Sequence, residues 1–353
     1  MSQASAGSVS TSRSSGSGWP SLLDGYDGVL LDLDGTLYRG QEAISGAVAA
    51  VDAVQRAGRI AGYVTNNASR SPAEVSAHLA RLGFAVDAEH VVTSAQAAAA
   101  LLAEKLSARA DALVVGTDSL AAEVQAVGLV PVRACDGDGP AAVVQGHSPQ
   151  TGWPILAEAC LAVRAGALWV ACNLDPTLPA ERGQLPGNGS RVAALRAATG
   201  AEPVVAGKPE RRLMDEASAR LGMRRPLVVG DRLDTDIAGG NAAKMDTLLV
   251  LTGVSTAADL LAAPPHQRPR FVAADLGALF EAADHTEIAD HPGWEVRPAP
   301  GTALLSHRGT TPPDPLQALR ALCAACWAAG VAPAEVHPSD NRAAKALSAL
   351  ALP

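Results

Sequence analysis

Gly28-Val29-Leu30-Leu31-Asp32-Leu33-Asp34-Gly35-Thr36-Leu37-Tyr38 is the stretch on which the fold turns. Its apolar residues run up to Asp32 without polar alternation, the pattern of a short strand buried on both faces in a parallel sheet. Two carboxylates stand where the run ends. Strand side chains alternate faces, so Asp32 and Asp34 leave on the same side. Ligand sites of open α/β sheets lie beyond the carboxyl ends of their strands. Two acids this close repel one another unless a cation or a shared proton relieves them. Gly35 and Thr36 permit the sharp turn such a site needs.

The arrangement recurs along the chain. Residues 60–65 form a second apolar run ending in Thr65-Asn66-Asn67, whose hydroxyl and following N–H groups can hold phosphate oxygens. Helical segments fit residues 43–55 and 71–82, the latter with Ser71 before Pro72 as its cap. Gly207-Lys208-Pro209-Glu210 puts a cation after the short run 203–206. Gly230-Asp231-Arg232-Leu233-Asp234-Thr235-Asp236 ends another run with three acids, hard oxygen donors suited to Mg²⁺. Each element alone reads equally well as a solvated turn or a surface charge. In this order, each after an apolar strand, all four are expected to converge on one edge of one sheet. Strand and helix alternate throughout, which predicts an α/β fold: a Rossmann-like parallel sheet with helices on both faces, an inserted α/β cap and a short C-terminal α/β extension.

This set of motifs resembles the haloacid dehalogenase superfamily over residues 24–280. The resemblance implies that Asp32 is a nucleophile forming an aspartyl phosphate. It makes Asp34 the general acid and then the base, with a pKa above that of an isolated Asp, and Thr65, Asn66 and Lys208 the holders of the phosphoryl group. It implies Mg²⁺ bound by Asp32, the main-chain oxygen of Asp34 and Asp231, with Asp236 acting through water. An Asp at position 34 points to phosphatase or mutase chemistry, because the ion-pumping members carry Thr there.

Thr65 and Lys208 lie 143 positions apart, roughly 100 residues more than one βα unit needs. The expected organisation is a leader at 1–20, a catalytic core at 21–95 and 202–284, a cap at 96–201 and an extension at 285–353. The insertion resembles the C2a cap of the p-nitrophenylphosphatase-like branch, as do Thr65-Asn66-Asn67-Ala68-Ser69-Arg70, Asn173-Leu174-Asp175 and Thr252-Gly253-Val254. Asn67, Arg70, Asn173 and Asp175 are accordingly expected at the substrate. That branch hydrolyses small phosphomonoesters, among them phosphoglycolate, pyridoxal phosphate and nucleotides. A capped core followed by a short tail related to part of an acetyltransferase fold resembles the actinobacterial glycerol 3-phosphate phosphatases, so glycerol 3-phosphate is the expected substrate. The tail has no glycine-rich loop for coenzyme A, and no acetyl transfer is expected. A mutase would carry a cap soon after the first motif, where only about 30 residues are available; a binding protein would have a broken catalytic position.

Bulk properties agree. Of 353 residues 48% are hydrophobic and only 3% aromatic, so Ala, Val and Leu must make the core. A net charge of −8 argues against nucleic acid or anionic lipid as partner, though not against a small anion met by a metal and a lysine. No apolar run is long enough for a bilayer, and residues 1–20, rich in Ser and Gly, read as a disordered leader without a signal peptide. The five cysteines have no disulfide-framework spacing, which fits the cytoplasm. Cys323 and Cys326 read as small core residues of a helix at 316–329, and none of the eight His residues is assigned to catalysis. Caps of this branch often carry dimer contacts, so a homodimer is compatible with the sequence.

Overall fold

The opening apolar run is strand β1 (Gly28–Leu31), buried at every position in a computed structural model that describes residues 21–180, 182–309 and 312–352. The leader expected at 1–20 lies outside the described residues. Strands β2 (Ile60–Thr65) and β3 (Val91–Thr93) follow on one side of β1, all parallel. Alternation decides the packing of β1. Val29 and Leu31 face a cluster with Val51, Val54 and Phe84, whereas Leu30 faces the opposite one with Val64 and Val228.

After β3 the chain leaves this sheet. Thr93 caps the helix Ser94–Lys105 by accepting the Gln96 N–H. Strands β4 (Asp111–Val115), β5 (Val130–Val132), β6 (Ala142–Gln145), β7 (Leu168–Ala171) and β8 (Val204–Val205) then make a second parallel sheet, in the order β8-β7-β6-β4-β5. Strands β9 (Pro226–Gly230), β10 (Asp246–Val250) and β11 (Phe271–Ala273) return to the first, whose order is β11-β10-β9-β1-β2-β3. The second sheet reaches past the boundary expected at 201: β8 pairs with β7 through Val204–Val170 and Val205–Ala171. The two sheets share one apolar cluster. Ala95, Ala98, Leu101 and Leu102 of the Ser94–Lys105 helix lie in it with Leu30 and Val228 of the first sheet and Val114 and Val144 of the second.

The segment from 285 holds more strand than expected. Strands β12 (Trp294–Ala299) and β13 (Thr302–His307) form an antiparallel hairpin, and β14 (Glu335–Pro338) adds to β13 in parallel. The Pro298-Ala299-Pro300-Gly301 cluster, which reads as a break, is the hairpin's turn and the end of its first strand, with Gly301 at φ +77°. The helix Pro315–Ala328 packs on the first sheet. Cys323 and Cys326 are buried, outside any disulfide, and clustered with Leu249 and Val272. Arg320, itself buried, donates from Nε and Nη2 to the Val272 carbonyl at 3.2 and 3.0 Å. The tail thus shields the outermost strand of the sheet.

Candidate active site

Asp32 extends β1 by one residue, its N–H donating to Val229 O at 2.9 Å. Its Oδ1 lies 2.5 Å from Lys208 Nζ, which reaches Asp236 Oδ1 at 2.6 Å. Asp231 at the end of β9 is the third acid. One carboxylate oxygen each from Asp32, Asp231 and Asp236 lie within 4.8 Å of one another. Leu233–Ile237 is a wide helical turn in which the Ile237 N–H reaches back to Arg232 O at 3.1 Å. It folds Asp236 inward so that its Oδ2 accepts the Arg232 N–H at 3.0 Å.

Three carboxylates, Asp32 half-buried and Asp231 and Asp236 buried, leave negative charge against one ammonium, and the proton affinities of Asp32 and Asp231 record it. Burial, then Asp236, pushes Asp32 up to about 8 in spite of Lys208. Burial and Asp236 push Asp231 up to about 6. Burial works against the Lys208 charge, but Asp236 and Asp32 outweigh it and hold the ammonium above its usual range. Asp231 Oδ2 accepts the Val254 N–H at 2.6 Å, whereas its Oδ1 is buried with no hydrogen-bond partner. An oxygen acceptor left without a donor, beside two more carboxylates, fits a hard divalent cation. Both oxygens of Asp236 already accept protein donors, so Asp32 and Asp231 are the freer ligands. The Asp34 carboxylate is outside this triad. It opens on the cavity, whose walls partly desolvate it and push its pKa up, against the Gly40 N–H and His78.

The cavity encloses about 540 Å³ between the carboxyl ends of the first sheet and the loops of the second. Thr65, Asn66 and Asn67 reach it from the end of β2, Asn173 and Asp175 from beyond β7. Convergence therefore holds with one correction. Asp32, Thr65 and Asp231 come from three strands of one sheet, but Lys208 follows β8, an edge strand of the other. Asn66 makes the joint. Its Oδ1 accepts the Lys208 N–H at 2.8 Å, and its Nδ2 donates to Lys208 O at 3.1 Å and to Asp175 at 3.3 Å. Its carbonyl accepts from Asn173 Nδ2 and Ser94 Oγ, both at 2.6 Å. Arg70 does not join the site: it is exposed and does not line the cavity.

Residues 29–130 match the family model described as haloacid dehalogenase-like hydrolase, residues 205–279 match a second model of the same group, and residues 291–352 match a GCN5-related N-acetyltransferase like domain. The D-glycerol 3-phosphate phosphatase of Mycobacterium tuberculosis is 50% identical over 337 residues, covering 93% of this chain and 94% of that protein. The chain belongs to the haloacid dehalogenase-like hydrolases. A crystal structure of glycerol phosphate phosphatase from M. tuberculosis in complex with magnesium superposes with a TM-score of 0.89 at 50% identity, covering 94% of this chain and 99% of that one. The 4-nitrophenylphosphatase of Thermotoga maritima does so with a TM-score of 0.67 at 31% identity, covering 74% and 99%.

In this haloacid dehalogenase-like chain, Arg232 and His147 are among the wall residues that motif reading leaves without a role. Arg232 stands beside the acids, paired with Asp234 at 2.8 Å. His147 follows β6 and so occupies a strand end of the second sheet. Its place just beyond the carboxyl end of a strand is the signal for it in the sequence. No spacing with another His or acid marks it.

Proposed function

We propose that this hydrolase removes the phosphoryl group from small phosphomonoesters with Mg²⁺, and that glycerol 3-phosphate is its substrate. The observation that carries the chemistry is the Lys208 ammonium held between Asp32 and Asp236 beside the unpartnered Asp231 Oδ1. Asp32, Asp231 and Asp236 would hold the ion, which supplies positive charge against the phosphate and the carboxylates.

Asp32 Oδ attacks phosphorus as the bond from phosphorus to the leaving alcohol oxygen breaks. Asp34, whose carboxyl holds its proton more tightly than an ordinary Asp, delivers that proton to the leaving oxygen. Water then attacks the aspartyl phosphate while Asp34 takes its proton, releasing inorganic phosphate and restoring Asp32. Lys208, Thr65 and Asn66 hold the transferring group where charge shifts in the transition state. Asn67, Asn173 and Asp175 complete the wall around it.

The choice of substrate is supported by the M. tuberculosis phosphatase, whose likeness runs through the second sheet and the tail as well as the first. The net charge of −8 supports a small ester over a nucleic acid. Five cysteines, none of them placed to pair with another in a disulfide, support a reducing compartment, the cytoplasm. Among the described residues no helix is long and apolar enough to cross a membrane. The test is phosphate release from a panel of phosphomonoesters with Mg²⁺ and with EDTA. Metal-dependent release, fastest from glycerol 3-phosphate, is expected; release unaffected by EDTA would sink the mechanism, and faster release from another ester the substrate. Asp32→Asn should lose at least about 10⁴-fold in kcat while remaining folded.

A further inference from the structure

Arg191 Nη1 lies 2.8 Å from His147 Nδ1. A guanidinium has donors only, so Nδ1 must present its lone pair to Arg191. The ring is then neutral and its single proton sits on Nε2. Electrostatics agree: burial, and then the Arg191 charge, holds the imidazole below its usual range. His147 lines the active-site cavity and Arg191 does not. Among the described residues no hydrogen-bond partner of Nε2 is present, and the N–H is left for whatever occupies the cavity.

A neutral donor on the wall of the second sheet does a different job from Lys208. It adds no charge to attract phosphate, and it discriminates among leaving groups by whether they carry an oxygen to accept its proton. The geometry points to His147 as the specificity-determining residue of this phosphatase: its Nε2–H donates to an uncharged hydroxyl oxygen of the leaving alcohol, with Arg191 positioning the ring from behind. This rests on the phosphatase reading above and names the group that recognises the non-phosphate half of the substrate. A half-buried donor left unmatched by an ester without hydroxyls supplies the penalty that makes the choice.

The test compares glycerol 3-phosphate with propyl phosphate, which has the same carbon skeleton without the hydroxyls. In His147→Ala the ratio of their kcat/KM values should fall about tenfold toward propyl phosphate, carried by the KM for glycerol 3-phosphate. His147→Gln, which can place an amide N–H near the site of Nε2, should recover part of the ratio. In ¹⁵N-labelled protein the His147 ring should carry its proton on Nε2, and Arg191→Met should mix the tautomers and lower the ratio while kcat changes little. An unchanged ratio in His147→Ala, or a proton on Nδ1 in the wild type, would overturn the proposal alone. A wild type that hydrolyses neither ester would overturn the phosphatase reading and the proposal with it.

Discussion

Asn66 Oδ1 accepts the main-chain N–H of Lys208 at 2.8 Å, across 142 positions of sequence. The bond joins the end of β2 in one sheet to the residue after β8 in the other, and Lys208 is the group that touches Asp32. Lys208 is buried, so its N–H would find no water to replace Asn66. Asn66→Ala should therefore cost about 1–3 kcal/mol of stability for the orphaned donor. It should also lower kcat by about 100-fold, since a shift of Lys208 by an ångström misplaces the charge at the reacting atoms. Thermal unfolding and steady-state kinetics check the two effects. A loss of stability with kcat intact would make Asn66 a structural joint and nothing more.

The crowded carboxylates set a linkage between metal, proton and stability. Asp32 and Asp231 have folded-state pKa values of about 8 and about 6, both above the ordinary carboxylate range. The native state consequently binds more protons than the unfolded chain between about pH 4 and pH 8. The contribution of these groups is fully present below the lower limit and is lost as pH rises through the folded values. A cation bound to the same oxygens competes with those protons. The rise in Tm on exchanging EDTA for Mg²⁺ should accordingly be larger at pH 8 than at pH 5. Taking the difference between the two conditions removes titrations shared by both. A rise independent of pH would mean that the ion does not sit on these carboxylates.

Uninterrupted apolar runs made the candidate catalytic residues of the first sheet legible. Asp32, Thr65 and Asp231 each terminate a strand of four to six residues, long enough to be recognised from pattern alone. Lys208 was legible as a residue and not as a place. The strand before it has two residues, and nothing local says which sheet such a strand will join. The hairpins Thr177–Ala180 with Gly183–Pro186, and Trp294–Ala299 with Thr302–His307, were hidden by prolines and glycines that normally punctuate strands. Arg70 belongs to a motif that enters the cavity at Asn67 and turns away. The Asn67 Oδ1 accepts the Ser69 N–H at 2.8 Å, bending the chain out to an exposed Arg70. The partnership of His147 with Arg191 spans 44 positions and exists only in three dimensions.

Gly253 shows how tightly Asp231 is held. A Cβ there would fall 1.9 Å from Asp231 Oδ2, and the next N–H, of Val254, is the one that binds this oxygen. Gly253→Ala must displace the carboxylate or its donor. Residues that orient a metal ligand typically contribute 10–100-fold in affinity. The Mg²⁺ concentration giving half-maximal activity should rise by about that factor, with far-UV circular dichroism unchanged. Unaltered Mg²⁺ dependence would show that Asp231 is not a ligand that needs this placement.

Arg320 tests whether the tail serves stability or turnover. Its guanidinium is buried between the Pro315–Ala328 helix and β11, where burial lowers its pKa and the Val272 carbonyl takes two of its donors. The same helix sends Trp327 Nε1 to Leu261 O at 3.3 Å, and its apolar face shares a cluster with Leu249, Leu260 and Val272. None of these groups lines the active-site cavity. Arg320→Ala removes the hydrogen bonds and leaves a void, which together should cost about 2–4 kcal/mol. Equilibrium denaturation should register that loss while kcat and KM, measured well below the new Tm, stay within twofold of wild type. A fall in kcat without a fall in stability would instead couple the tail to the chemistry. The path available for such coupling is short, since β10 alone separates β11 from β9 and Asp231 stands at the end of β9.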